Sequence, residues 1–322
     1  RPRARGRLDR DSQLPTRMTR ITVPDWDLAD RLRSRVEVAV WNLVAPAPWQ
    51  EIDIVVPPYQ SDPSLLTALD GLQVRLVQSQ SIGFDRVSEH LSPSTAFANA
   101  AGVHEGPAAE LGMALLLAAQ RDIPRYLAQS ATGIWSSDVT RGLLDARIVV
   151  LGAGGLAGAF VDRARPFGVD LVRVARSRRS DARGEVADWG ELPGLLADAD
   201  AVIICLPLDH STRGLVDAGF LARLPDGALV VNIGRGAIVD TSALLAELES
   251  GRLRAALDVT EPEPLSADHP LWRCPGVIIS PHVGGKVATM THAITGLVLR
   301  QIAALERGET FVNLVDLSVR SG

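Results

Sequence analysis

Apolar residues in this chain gather in short, nearly uninterrupted runs, and the segments between them have helical spacing. In the first third the runs are "EIDIVVPP", "LQVRLVQS" and "TAFANA"; from residue 146 onward they are "ARIVVLGAGG", "VDLVRVARS", "DAVIICLPL", "GALVVNIGRG", "LRAALDVTEPEP" and "GVIISPHVGG". Strands that are apolar without alternation belong to parallel sheets covered on both faces. Alternation of such strands with helices predicts an α/β chain built from doubly wound parallel sheets. One long helix is expected from about Gly106 to Gln129, bent or broken at Pro124. Its run "LGMALLLAA" is too short to span a bilayer and reads as a buried helix. No repeat of 20–50 residues is visible.

A glycine-rich turn, "VVLGAGGLAG", follows the first run of the second group. In the pattern G-x-G-x-x-G/A the matches are Gly152, Gly154 and Ala157, with Gly155 and Leu156 at the start of the next helix. The first glycine permits a tight turn, the second lets the backbone approach a pyrophosphate, and the small third residue lets the helix pack on the sheet. The helix start then offers N–H groups and a positive dipole end to phosphates. The turn starts near residue 152, so about a hundred residues of a separate α/β unit precede the nucleotide domain. The closing segment, "THAITGLVLRQIAALERGE" and then "FVNLV", is expected to return to that unit. The expected division is residues 18–105 with 293–322 as a discontinuous, flavodoxin-like substrate domain, and 106–292 as a Rossmann domain. Residues 1–17, Arg-rich and poor in apolar side chains, are expected to form a disordered tail, with Met18 the natural start.

Composition narrows the function. The 322 residues are 46% hydrophobic and 22% charged, with a formal net charge of −5. That balance argues against nucleic acid as the main partner. Cys205 and Cys274 are the only cysteines and form no C-x-x-C pair. No disulfide framework or metal site is implied, and a reducing, cytoplasmic compartment fits. Lys286 is the only lysine among 33 basic residues, so arginine enrichment alone is weak as a functional signal.

Three later strand ends carry chemistry. "NIGRG" presents Arg235, "LDVTEPEP" presents Asp258 and Glu263, and "ISPHVGG" presents His282. Ligands of open α/β sheets bind at the carboxyl ends of strands. Taken singly, an Arg in a turn, a Glu between prolines and a lone His are most often solvated or structural. Behind a dinucleotide turn the three fill distinct roles in hydride transfer to a 2-keto acid. Arg offers a bidentate grip on a carboxylate, His a proton donor near neutral pH, and the carboxylate orients the imidazole.

At these motifs, with "LPLDHSTRGLVD" and "HPLW" between them, the chain resembles the D-isomer-specific 2-hydroxyacid dehydrogenases, from Arg147 to at least Gly285. The likeness extends more weakly into "QSIGFDRV" and "FANAAGVHEGPAAELGMALLLA". It implies that Arg235 holds substrate, His282 is the acid/base and Glu263 is its partner. Glu263 rather than Glu261 is chosen because the family's carboxylate lies five residues after the aspartate of "LDV", before a proline. The resemblance further implies Asp258 at the nicotinamide carboxamide and Pro207 against the cofactor. Backbone groups of Ser81, Ile82 and Gly83 would help hold the substrate carboxylate from the first domain. It also implies a homodimer joined through the nucleotide domains. His104 is a candidate to line the cleft, and Lys286 is read as a solvated helix start.

The cofactor is read from "VARSRRS". NAD-binding members carry an Asp at the end of the second nucleotide-domain strand, a position that falls here on Ala175. Without that carboxylate, Arg176, Ser177, Arg178 and Arg179 offer guanidinium and hydroxyl donors to a 2′-phosphate. NADP(H) is therefore favoured, with NAD(H) the alternative. The expected activity is hydride transfer between NADPH and a small 2-keto or D-2-hydroxy acid such as glyoxylate or hydroxypyruvate. The same motifs leave open an NAD-dependent phosphoglycerate-type dehydrogenase or a non-catalytic, NAD(P)H-sensing corepressor-like protein. No membrane or nucleic-acid partner is expected.

Overall fold

The computed structural model describes residues 18–320; the expected tail, residues 1–17, lies outside the described residues. The described residues divide into two compact units, one of residues 18–80, 86–98 and 295–316, the other of 81–85, 99–294 and 317–320. These boundaries differ from the expected ones at 105/106 and 292/293. The short loop Ser81–Asp85, expected within the first domain, groups with the second unit. Residues 99–104 do the same, because they lead directly into its first helix.

The first unit contains β1 (Arg20–Val23), α1 (Trp26–Leu32), β2 (Glu37–Val40), β3 (Glu51–Val55), β4 (Gln73–Gln78) and β5 (Ala96–Ala98). The strands pair in the order β2-β1-β3-β4-β5, all parallel, which is the flavodoxin-like order. Asp25 caps α1 by accepting from the Leu28 N–H at 2.9 Å. The chain's closing segment joins this unit through a buried amide pair. Gln301 Nε2 donates to Gln78 Oε1 at 2.6 Å and to the Val312 carbonyl at 2.8 Å.

The second unit runs α2 (Glu105–Gln120), α3 (Ile123–Thr132), β6 (Arg147–Leu151), α4 (Gly155–Ala164), β7 (Asp170–Ala175), β8 (Arg179–Asp181), β9 (Gly184–Asp188), α5 (Leu192–Leu196), β10 (Ala201–Ile204), α6 (Ala218–Leu221), β11 (Leu229–Asn232), α7 (Thr241–Glu249), β12 (Arg254–Leu257) and β13 (Val277–Ile279). It ends on the first turns of α8 (Met290–Arg307). The strand order is β13-β12-β11-β10-β6-β7-β9-β8. Only β8 is antiparallel, pairing with β9 at the edge. Reversal of strand order between β6 and β10 makes a topological switch point there.

The uninterrupted apolar runs are explained by two cores, one on each face. Val149, Leu151, Val202, Ile204 and Val230 face Leu196, Leu221 and Leu248. Ile148, Val150, Ile203 and Val231 face Leu116, Phe160 and Val161. A side chain such as Phe160, fully buried, contributes about 1.5–3 kcal/mol. The single long helix expected over 106–129 is instead two. Asp122 sits in the left-handed region at φ 53°, and Pro124 opens the second helix rather than bending the first. Proline suits a first helical turn because its missing N–H would have no partner there. Among the described residues no helix is long and apolar enough to cross a membrane.

Candidate active site

The glycine turn joins β6 to α4. Gly152 has φ +121°, and a Cβ there would lie 2.9 Å from the Cys205 carbonyl oxygen at the end of β10. No other residue fits both conditions. Gly154 is the N-cap of α4, with open space where its Cβ would stand. Gly155 carries no Cβ because the Glu105 side chain packs 3.0 Å from that point. Leu156 is half-buried and Ala157 fully buried against the sheet. The turn therefore presents bare backbone at a helix start, a geometry that fits a pyrophosphate. Cys205 beside it is no nucleophile, since burial pushes its thiol well above the ordinary range.

Ala175 closes β7 and is buried, while Arg176 to Arg179 are exposed beyond it. Arg178 Nη1 donates to Glu191 at 3.1 Å, and Arg179 donates weakly to the Ser177 carbonyl at 3.4 Å. Arg176 makes no hydrogen bond or ion pair with the described residues. Two further arginines fix the hairpin that follows. Arg173, 3% exposed, grips Asp181 through two 2.7 Å bonds and also donates to the Gly184 carbonyl. Its guanidinium, with help from the Arg183 N–H, holds the Asp181 carboxyl at about 2. Arg183 lies over Gly158 of α4 and pairs with Asp162 at 2.8 Å through two bonds. A cavity of about 390 Å³ opens here among Val172, Arg173, Arg178, Arg183 and Glu191.

The three chemistry-bearing loops follow β11, β12 and β13, which are neighbours in the sheet. After β11, the buried Asn232 side chain accepts from the Gly234 N–H at 3.0 Å and donates to the Arg235 carbonyl at 2.9 Å. A Cβ at Gly234 would lie 2.8 Å from the Leu206 carbonyl oxygen, and one at Gly236 would collide with that of Thr260. Those two close approaches explain the spelling "NIGRG". Arg235 is half-buried. Its Nε donates to Asp85 at 3.0 Å and its Nη1 to the Gly234 carbonyl at 2.8 Å. Its Nη2 occupies the place a Cβ of Gly83 would take. The loop bearing Ser81, Ile82 and Gly83 is thereby brought to Arg235. It is held from behind by Asn99, which donates to the Ile82 carbonyl at 2.9 Å, and by the Ala100 N–H on the Ser81 carbonyl.

After β12, Asp258 is buried and organises the loop beyond β13. Its Oδ1 accepts from Ser280 Oγ at 2.6 Å and the Val283 N–H at 2.9 Å, and its Oδ2 from the Gly284 N–H at 3.0 Å. The Asp258 carbonyl takes the His282 N–H at 2.8 Å. His282 is held at φ +52°, a left-handed conformation that is costly for a residue with a Cβ. Its Nδ1 meets Glu263 Oε1 at 2.5 Å. Glu261 does not reach it; the Glu261 carbonyl accepts from Thr241. Both Glu–Pro peptides here are cis.

The remaining candidates lie elsewhere. The Pro207 carbonyl, after β10, accepts from Thr212 Oγ1 at 2.7 Å. His104 is buried at the N-cap of α2. Lys286 is exposed in a turn, four residues before α8, so it does not start a helix. Asp85, Asn232 and Ser280 were missed in the sequence reading, although each stands inside or beside a quoted motif.

Taken together, Arg235, Glu263 and His282 stand on three adjacent carboxyl-terminal strand ends, with the glycine turn two strands further along the same edge. A family model described as D-isomer specific 2-hydroxyacid dehydrogenase, NAD binding domain, matches residues 113–284. An uncharacterized protein in the proB 3′ region of Corynebacterium melassecola is 32% identical over 255 residues, covering 76% of this chain and 83% of its own. The mouse glyoxylate reductase/hydroxypyruvate reductase is 29% identical over 300 residues, covering 87% and 91%. Among solved structures, an NADPH-dependent glyoxylate/hydroxypyruvate reductase from Sinorhizobium meliloti, in complex with NADP and sulfate, superposes with a TM-score of 0.80. It is 26% identical and covers 94% of this chain and 99% of its own.

Proposed function

The chain belongs to the D-isomer specific 2-hydroxyacid dehydrogenases, and from that premise we propose that it is an NADPH-preferring reductase of small 2-keto acids, glyoxylate or hydroxypyruvate first among them. The observation that carries the proposal is the His282–Glu263 contact, on strand ends next to the one bearing Arg235. The mouse and Sinorhizobium relatives, both glyoxylate/hydroxypyruvate reductases, support the substrate class.

Gly152, Gly154, Gly155 and Leu156 would hold the pyrophosphate, and Arg176 to Arg179 a 2′-phosphate, with Pro207 and Asp258 toward the nicotinamide. When bound, the reduced nicotinamide supplies a hydride. Arg235 holds the substrate carboxylate, helped by the backbone at Ser81, Ile82 and Gly83. Glu263 accepts from Nδ1–H of His282 and so fixes the tautomer and ring orientation. His282 then moves a proton from Nε2 to the keto oxygen, and Glu263 stabilises the charged ring that precedes this transfer. Glu263 has no direct contact with substrate in this scheme.

We further propose that two copies of the chain pair. Helix α3 has no buried residue, and its Leu127 is well exposed together with Ile134, Trp135 and Val139 beyond its end. Such a patch suits an interface between two copies through their nucleotide units. Two unpaired cysteines, one of them buried, support a reducing, cytoplasmic setting. A panel of 2-keto acids assayed with NADPH and NADH tests the function. Turnover of glyoxylate or hydroxypyruvate with NADPH is expected. Cofactor binding with no turnover of any acid would point to a sensor and sink the reductase proposal.

A further inference from the structure

We propose that Asp85 is a positioning residue for the arginine that holds the substrate: it turns the Arg235 guanidinium so that only the Nη1/Nη2 edge faces an incoming carboxylate. This rests on the keto-acid reductase function proposed above. A guanidinium has five N–H donors and two edges that can take a carboxylate bidentately, Nε with Nη2 and Nη1 with Nη2. Asp85 Oδ2 occupies Nε at 3.0 Å, which removes the first edge. The Gly234 carbonyl takes one donor of Nη1 at 2.8 Å, which sets the plane of the group. The second edge is left as the one two-point grip.

Room for this arrangement comes from Gly83. A Cβ there would collide with Nη2 and would lie 3.0 Å from Asp85 Oδ2. Gly83 and Asp85, two residues apart, thus act on the same guanidinium, one by yielding space and one by directing it. Their loop is held in place through the Ile82 and Ser81 carbonyls. A carboxylate beside the substrate arginine also weakens its pull on a second carboxylate. Asp85 is 39% exposed, so water screens its charge while the directional bond remains. What Asp85 contributes is therefore orientation: a long, flexible side chain tethered beforehand loses less freedom when substrate binds.

The test uses the full chain with glyoxylate and NADPH. Asp85→Ala is expected to raise the KM for glyoxylate about tenfold or more, with kcat changed by less than about threefold. The dissociation constant for NADPH and the Tm should stay as in the parent, and Asp85→Glu should recover most of the KM. In an Arg235→Ala background, Asp85→Ala should add no further loss of kcat/KM, because the residue acts only through Arg235. An unchanged or lowered KM in Asp85→Ala overturns the proposal. So does a loss of the same size in the Arg235→Ala background, or a parallel loss of NADPH binding. Failure of the parent chain to reduce any keto acid would instead sink the functional proposal.

Discussion

The arginines after β7 give the most discriminating test of cofactor choice, because the structure ranks them. Arg176 is exposed and has no partner among the described residues, so it is available to a 2′-phosphate at no cost in existing bonds. Arg178 must first release Glu191, a contact between side chains 64% and 39% exposed. An exposed pair of this kind is worth about 0.2–1 kcal/mol. A hydrogen bond to a charged group contributes roughly 1.5–3 kcal/mol, and solvent exposure places this one near the lower end, about 1.5–2 kcal/mol. At about 1.4 kcal/mol per factor of ten, Arg176→Ala should raise the KM for NADPH about 10- to 30-fold. Arg178→Ala, net of the Glu191 contact, should raise it only about 2- to 20-fold. The KM for NADH should hardly move in either. Initial rates of glyoxylate reduction at varied NADPH and NADH measure all four values. Equal effects on the two cofactors would refute a phosphate role, and a larger effect of Arg178 would refute the ranking.

Three further outcomes are expected. His282→Gln should cut turnover by about 10² or more while leaving NADPH binding intact, and Glu263→Gln should cut it by less; normal turnover in His282→Gln would sink the mechanism. Asp181, held at about 2 against an ordinary 3.8, stabilises the fold above about pH 4, and this contribution fades as pH falls toward 2. Asp181→Asn should therefore lower Tm at neutral pH but match the parent near pH 2, and a constant difference across that range would contradict the assignment. Trp135→Glu, on a side chain 99% exposed, should halve the mass measured by light scattering without lowering secondary structure; an unchanged mass would place the interface elsewhere.

Legibility in the sequence followed the length of the apolar run: β1, "RITV", is buried from Ile21 to Val23 but too short and too broken by Arg20 and Thr22 to be read. All nine apolar runs are strands, because strands covered on both faces leave an unbroken apolar record. Strand β8, "RSD", is fully exposed and leaves none, so the hairpin it forms with β9 was invisible. Arg235, Glu263 and His282 were legible because they stand at strand ends within distinctive spellings. Asp85 lies seven residues past the end of β4, too far along its loop to read as a strand-end residue, and its bond to Arg235 crosses 150 residues. Asn232 and Ser280 act on backbone and on Asp258, contacts that no spacing rule reveals. The break between α2 and α3 was blurred because Asp122, not Pro124, carries the unusual backbone.

The hairpin after β7 ties cofactor preference to solubility. A parallel sheet that ended on β9 would offer a row of unpaired backbone groups to any other chain. Here that edge is covered by β8, three polar residues run antiparallel, and Arg173 clasps Asp181 to keep them there. Arg179, the first of the three, is also the last of the arginines proposed to meet the phosphate. Engineering toward NADH by shortening "RSRRS" would therefore uncover β9 and invite aggregation. Point replacement at Ala175 and Arg176, upstream of the edge, changes the recognition chemistry and keeps the guard strand in place.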